Sequence, residues 1–544
     1  LQTMSERRDP AEQQSVRRRA PEFRVGQRVH YAGNSRRTGT VGFVGTLQGY
    51  LDEWIGVDWD ADGDGKHDGS HNGVRYFNAR GPKTASFLRP NNVSAGRSLL
   101  EALEIRYRSS STKEEEDEMY VLSSRKQRVS IQLLGKDKIE TRLSRFEEMT
   151  SASLSHLGIS FPGSTTSISS TLPNLKELDL TGNLLVDWED FFAVCEALPA
   201  LTVLNLSHNS ISREVEKAAR LSRIRVLVLN HSGVKWKHIE VLKYSLPDLE
   251  ELHLTGNLLA EIKPVSSDAT RGFNSLRLLD LSNNCISSWD DILNLSFLSS
   301  LEQLFLNNNN IKHVKYPDPD LHNSVDIGPP FVNLRSLHLG GNLIEDPKCV
   351  DSLNSFPKLT DIRLSDNPVS DLGRGGSPRF VLIARLAKVE ILNGSEVMPR
   401  ERRDSEIRYV RLVMSTVHER EIPRLHPRFC ELKTIHGIED ARPSSDTATS
   451  GPQKMATGLI SVTLKCIGAS MGEKAPLTKK LPASTTVGKL KNLCTSFFKL
   501  HSINNPILLV LQEEGSALPT VLDDDMASLL DLGIHNESTI LLDD

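Results

Sequence analysis

The sequence predicts a multidomain protein of mixed α/β and β class: a small β domain, a long repeat solenoid, and a C-terminal module of strands around one helix. Three observations predict it. Residues 22–93 are rich in glycine and aromatic side chains, residues 149–398 repeat a leucine and asparagine pattern, and residues 458–544 show short alternating runs around one helical pattern. A chain of 544 residues has room for several such units, because single cores rarely grow past about 250–300 residues.

Composition narrows the function classes. Hydrophobic residues make up 38% and charged residues 25%, a soluble globular balance. No apolar run approaches the ~20 residues of a membrane helix, so no membrane association is expected. The net charge of −5 argues against nucleic acid as the main partner. Residues 1–21 are polar and Arg-rich, without the apolar core of a secretory signal, and are expected to form a disordered tail. The three residues ahead of Met4 read as a cloning remnant. Arg17-Arg18-Arg19 read as solvated, with assistance to an acidic partner as the second reading. The six cysteines lie far apart with no CxxC pair, so neither a disulfide framework nor a zinc site is expected, and a reducing cytoplasm fits.

The first domain carries the most specific motif. Trp54-Ile55-Gly56-Val57 precedes Gly65-Lys66-His67-Asp68-Gly69-Ser70-His71, and Tyr76-Phe77 and Ser86-Phe87-Leu88-Arg89-Pro90 follow. Glycines at this density let a backbone turn sharply and let a peptide approach closely. Lys66 offers a charge for carboxylates, and Trp54 and Phe77 offer apolar area. Each aromatic could equally be an ordinary core residue, and Lys66 by itself an ordinary surface lysine. Taken together, the residues resemble the CAP-Gly domain, with His67 where most members have Asn. The resemblance implies a groove for an acidic C-terminal tail ending in an aromatic residue, such as the Glu-Glu-Tyr end of α-tubulin. It places Trp54, Gly65, Lys66, His67, Asp68, Gly69, Ser70, Phe77 and Phe87 at that groove.

Residues 94–148 read as a connecting segment, with an acidic, small-residue run from Ser109 to Glu118. The frame L-x-x-L-x-L-x-x-N then recurs, as in Leu175-Leu178-Leu180-Asn183 and Leu276-Leu279-Leu281-Asn284. Successive steps are 26, 23, 25, 27, 25, 33 and 25 residues. Ser232 takes the Asn place in one copy, and a degenerate first copy is expected at Leu154-Leu157-Ile159. This is the leucine-rich repeat: one unit cannot bury its apolar face alone, so units stack. The 33-residue step holds Tyr316-Pro317-Asp318-Pro319-Asp320, which must loop out. Leu386 to Gly394 reads as the closing cap. The positions between core leucines, Asp179, Asn205, His253, Asp280, His338 and Arg363, are expected on the concave face, as a client surface or as a simple solvated face.

Residues 399–441 read as a helical segment, beginning with the charged run Pro399 to Tyr409. Residues 442–457 read as a flexible linker rich in Ser, Thr, Pro and Gly. The strand pattern Leu459–Lys465, a second strand to Leu481, a helix from Thr485 or Thr486 as N-cap to Leu500, a strand at Ile507–Leu511, a turn at Met526–Leu530 and a last strand at Ser538–Leu542 follow. This is the β-grasp order and resembles ubiquitin-like domains. The chain ends Asp543-Asp544 without Gly-Gly, so binding rather than conjugation is expected.

No catalytic constellation emerges, so a non-enzyme without cofactor or metal is expected. Asp60, Asp62, Asp64 and Gly65 imitate a calcium loop, but its twelfth position is His71. Gly468 to Gly472 matches G-x-S-x-G without hydrolase context. The order of the three modules, with the helix at Pro399–Arg403 and the segment His426–Phe429, resembles the tubulin-folding cofactor E family over nearly the whole chain. The resemblance implies a cytoplasmic, cytoskeleton-associated chaperone. It would bind α-tubulin and, with tubulin cofactors C and D, assemble or dissociate the α/β-tubulin dimer, with GTP hydrolysis residing in tubulin. Cofactor B and the proteasome are further candidate partners. Two rival readings stay open: a microtubule-end adaptor using the first domain, and an adaptor whose ubiquitin-like end delivers a client to the proteasome.

Overall fold

The computed structural model describes residues 23–108, 120–122, 128–130, 145–211, 213–215, 220–263, 272–296, 298–316, 330–438, 459–467, 474–482, 485–499, 508–512, 520–522, 529, 532, 534 and 538–543. The N-terminal tail, the acidic run, the residues 317–320 of the insertion, the linker, the G-x-S-x-G match and most of the turn at 526–530 lie outside them. The chain divides into two compact units, Leu1–Glu439 and Asp440–Asp544.

The N-terminal domain is an antiparallel five-stranded sheet. Across it run Ala85–Leu88, Glu53–Trp59, Asn34–Thr46, Arg28–Tyr31 and Val93–Ser94. Alternation sends Ile55, Val57 and Trp59 to one side, where they meet Phe23, Val29, Val41 and Val93 in a small core. A bulge at Gly42 shifts the register so that Phe43 faces Gly56. Asp60, the first residue of the calcium-like run, is bound by Arg28 (Nη1 to Oδ1, 2.7 Å) and by Thr38. Burial pushes its carboxyl pKa up, but Arg28 outweighs this and holds it below the ordinary value.

A helix at Leu99–Tyr107 opens with a capping box between Ser98 and Glu101 and sends Leu99, Ala102 and Leu103 into the repeat core. The repeats form a parallel ladder through Ser151–Ser153, Glu177–Asp179, Val203–Asn205, Val226–Val228, Glu251–His253, Leu278–Asp280, Gln303–Phe305, Ser336–His338, Asp361–Arg363 and Ile391–Leu392. The first copy differs from expectation. Its strand is Ser151–Ser153, with Ala152 opposite Leu178, so the frame is Met149-Ala152-Leu154 and Leu157 falls at the Asn place. Met and Ala fill the leucine sites of this end copy, which hid it in the sequence.

The buried asparagines hold adjacent copies together. Asn183 Nδ2 donates to Leu154 O (2.9 Å) and Leu180 O (2.8 Å), while its Oδ1 accepts from the Leu157 and Ile159 amides. Ser232 does part of this work, donating to Leu206 O at 3.0 Å. The array closes where Ile391–Leu392 turns back as a hairpin with Ser395–Glu396. The following helix runs Pro399–Thr416, one to two turns beyond the expected run. It packs with Phe429–Ile435 in a separate apolar cluster around Tyr409, Val410 and Val413. Arg385 ties this cap to the repeats: it pairs with Asp351 (2.7 Å) and donates to Leu425 O (2.9 Å).

The second unit is a β-grasp fold. Its sheet order is Leu477–Pro482, Leu459–Cys466, Ser538–Asp543, Leu508–Gln512 and Thr520–Leu522, with the first and last strands of the chain order parallel at the centre. The strand Thr520–Leu522 is an addition to the expected elements. The helix is Val487–Phe498, capped by Thr486 Oγ1, and buries Val487, Leu490, Cys494 and Phe498 against the sheet. Among the described residues no helix is long and apolar enough to cross a membrane.

Candidate functional site

The segment Gly65–Ser70 docks along the edge of the N-terminal sheet. Gly65 N donates to Lys83 O (2.9 Å), Lys66 N donates to Ala85 O (2.7 Å), and Ala85 N donates back to His67 O (2.9 Å). A Cβ on Gly65 would lie 2.2 Å from the Thr84 carbonyl carbon, so only glycine fits there. Gly69 is at φ +93°, and a Cβ there would lie 2.1 Å from Phe77 O. His67 Nδ1 accepts from Gly69 N at 3.1 Å, so the imidazole closes a local turn as an Asn side chain does. Burial pushes the His67 pKa below its ordinary value, partly opposed by Asp68. Asp68 accepts from Ser70 N (3.1 Å) and from Arg75 Nη2 (2.7 Å), and its pKa is lowered to about 2, first by the Ser70 hydrogen bond and then by Arg75. The Lys66 side chain points into solvent and makes no ion pair among the described residues.

Beside this loop stands an aromatic cluster centred on Phe87. His67 stacks on it at 4.7 Å, and Tyr76, Phe77, Phe43 and His71 meet it edge-on at 5.4, 5.8, 6.0 and 6.2 Å. Trp54 lies between Tyr50 (5.4 Å) and the Arg89 guanidinium (4.1 Å), and Arg89 is held by Asp52 at 2.6 Å. The expected groove residues are therefore together: Trp54, Gly65, Lys66, His67, Asp68, Gly69, Ser70, Phe77 and Phe87 share one rim of the sheet. Phe77 rests with its ring against Gly42 and Gly56 and is half-buried, as Trp54 is. Sequence reasoning missed Tyr50, Phe43 and the role of Arg89. Only Arg89 stood inside a quoted motif, and Tyr50 comes from a loop with no pattern.

On the repeats, register places Asp179, Asn205, Val228, His253, Asp280, Phe305, His338 and Arg363 in one continuous row. Three of the expected six also serve the backbone: Asp179, Asn205 and Asp280 accept from the amides two residues on, at 3.0, 3.0 and 2.9 Å. His338 is not an open position. It is 7% exposed because Phe305 stacks on it at 4.3 Å and Asp361 approaches at 3.3 Å. Val228 and Phe305 add apolar area that a search for polar positions passed over. Among the described residues no group of three or more His, Cys, Asp or Glu is arranged to hold a metal.

The family model of the CAP-Gly domain matches residues 25–93, the sheet and loop just described. Tubulin-folding cofactor E of Arabidopsis thaliana is 59% identical over 524 residues, covering 96% of this chain and 98% of that protein. The chain belongs to the tubulin-folding cofactor E family. Within the family, tubulin-specific chaperone E of Danio rerio is 30% identical over 88% of this chain and 91% of its own length. The solved ubiquitin-like domain of mouse tubulin-specific chaperone E is 24% identical, covers 17% of this chain and 93% of that domain, and has a TM-score of 0.15. The relatives carry the names of chaperones and folding cofactors rather than of enzymes.

Proposed function

We propose that this member of the tubulin-folding cofactor E family is a cytoplasmic, cytoskeleton-associated tubulin chaperone that captures α-tubulin by its acidic tail. With tubulin cofactors C and D, and with cofactor B as a further partner, it assembles or dissociates the α/β-tubulin heterodimer. One observation carries the reading: an exposed Lys66 on a loop held rigid by Gly65 and Gly69, beside the Phe87 aromatic cluster. A lysine ammonium suits the tail carboxylates, loop amides suit a terminal carboxylate, and the aromatic rim suits a terminal aromatic ring. The mixed row on the repeats, with Val228 and Phe305 between polar and charged residues, suits a folded client. Charge reversal at Asp280 and Arg363 together is expected to weaken α-tubulin binding without unfolding the chain.

The ubiquitin-like unit contributes a second, weak contact, made effective by tethering to the same chain. Gel filtration of α/β-tubulin with the pure protein tests the whole reading. Dissociation of the dimer into a complex with α-tubulin is expected. Co-sedimentation with microtubules and an intact dimer would favour the adaptor instead. Truncation at about Gly451 should spare tail-peptide binding and remove a clear share of dissociating activity. Full activity after truncation would leave proteasome docking as the better role for that unit.

A further inference from the structure

The ubiquitin-like unit divides its charge along the sequence. Residues 459–499 hold seven lysines and one acidic residue, and residues 500–544 hold nine acidic residues and neither Lys nor Arg. Four of the lysines fall on two consecutive elements: Lys479 and Lys480 on the strand Leu477–Pro482, and Lys489 and Lys491 on the helix Val487–Phe498. That strand ends the sheet. Among the described residues it pairs only with Leu459–Cys466, so one edge of its backbone has no neighbouring strand. Between it and the helix runs a groove lined by Leu481, Pro482, Thr485, Lys489, Asn492 and Leu493. One helical turn past Leu493, Phe497 is 38% exposed, and the Lys479 ammonium lies 4.5 Å from its ring centroid. Along the helix Leu493 therefore stands between Lys489 and the Lys479–Phe497 pair. Among the described residues no carboxylate pairs with Lys479, Lys480 or Lys489.

We infer that this edge and groove take an extended, acidic segment of a partner protein as an added strand, with its apolar side chains over Leu481, Leu493 and Phe497 and its carboxylates on Lys479 and Lys489. Backbone pairing supplies the affinity. The groove selects side chains on one side of the incoming strand, since alternate residues face opposite ways. Charge decides the occupant. A second copy of this strand would bring Lys479 and Lys480 against the same pair, and like charges across a strand pair are destabilising. An acidic strand reverses that sign and gains charge-assisted contacts. Lysines on an edge also keep a sheet from pairing with itself. That use alone asks for no groove, and here a groove with a partly exposed phenyl ring at its end runs beside the edge. The inference goes beyond the tethered contact proposed above and does not depend on the acidic-tail reading of the first domain.

The test uses the full-length protein and an amidated, fluorescein-labelled peptide, Asp-Asp-Val-Thr-Val-Thr-Val-Glu-Glu, read by anisotropy. One counterpart carries Lys in place of the four acidic residues, and two more carry N-methyl groups on the valines or on the threonines. The acidic peptide should bind about tenfold tighter than the Lys counterpart, the effect of one or two charge-assisted contacts. Lys479→Glu together with Lys489→Glu should invert that order without unfolding the chain. Lys66→Ala, in the first domain, should change neither affinity. N-methylation of one alternate set should weaken binding by about tenfold and that of the other should be tolerated, because only alternate amides of a strand face its neighbour. No binding of the acidic peptide, loss of its binding in Lys66→Ala, or an order that the double reversal leaves unchanged would each overturn the site. Equal binding of the two N-methylated peptides would overturn the added strand.

Discussion

The Phe77 ring occupies the space above Gly56: a Cβ on Gly56 would lie 2.5 Å from Phe77 Cε1 and 2.9 Å from Phe43 Cβ. Gly42 stands in the same relation, at 2.3 Å. The two glycines form a flat floor that lets Phe77 settle on the sheet against Phe87. Gly56→Ala should therefore destabilise the first domain by about 1–3 kcal/mol, the usual range for overpacking. Thermal denaturation reads this, and tail-peptide affinity should fall with it because the aromatic rim rests on that floor.

Lys66→Ala should weaken binding of a Glu-Glu-Tyr peptide by about 1–3 kcal/mol while leaving the melting temperature unchanged, since the side chain is exposed. Raising the salt concentration should weaken the wild type more than the variant. An affinity equal to the wild type's, with the fold intact, would remove Lys66 from the site.

His253 and His338 lie in one row of the repeat sheet and should respond to pH with opposite sign. Asp280 first, with Glu251, holds the His253 pKa above its ordinary 6.5. The stability this contributes is present in full below that value and is lost as pH rises through the shifted one. Burial first, only partly opposed by Asp361, holds the His338 pKa below 6.5. There the unfolded chain takes the proton before the native one, so stability falls as pH drops through 6.5 toward the shifted value. Chemical denaturation across this range should show the stability lead over His253→Gln shrinking as pH rises. The lead over His338→Gln should shrink as pH falls.

Arg385→Ala should loosen the helical cap, since it leaves the nearly buried Asp351 without its guanidinium and Leu425 O without a donor. Removing one partner of a buried pair costs about 3–5 kcal/mol. Hydrogen exchange should rise in Phe429–Ile435, and adding Asp351→Ala should recover part of the loss.

The repeat frame was legible because its chemistry is local and periodic: each leucine is buried and each asparagine serves the backbone of the copy beside it. The β-grasp order was legible for the same reason, with strand and helix periods in sequence and a true N-cap at Thr486. The GKHDGS loop was legible because Gly65 and Gly69 meet backbone atoms that no side chain clears. Other features depended on distant residues coming together. At the first copy Met149 and Ala152 stand at leucine positions, and only the pairing of Ala152 with Leu178 shows the frame. The seating of Phe77 on Gly42 and Gly56 depends on strands whose pairing no local pattern announces. Tyr50 joined the rim through a loop that carries no motif, and His338 was covered by Phe305 from the next strand. By itself the sequence determined the modules, their order and the tight Gly65–Ser70 loop, since these follow from spacing and residue type along the chain. Only the tertiary structure decided which of those side chains stay open to a partner, because exposure depends on neighbours that are near in space and far apart in sequence.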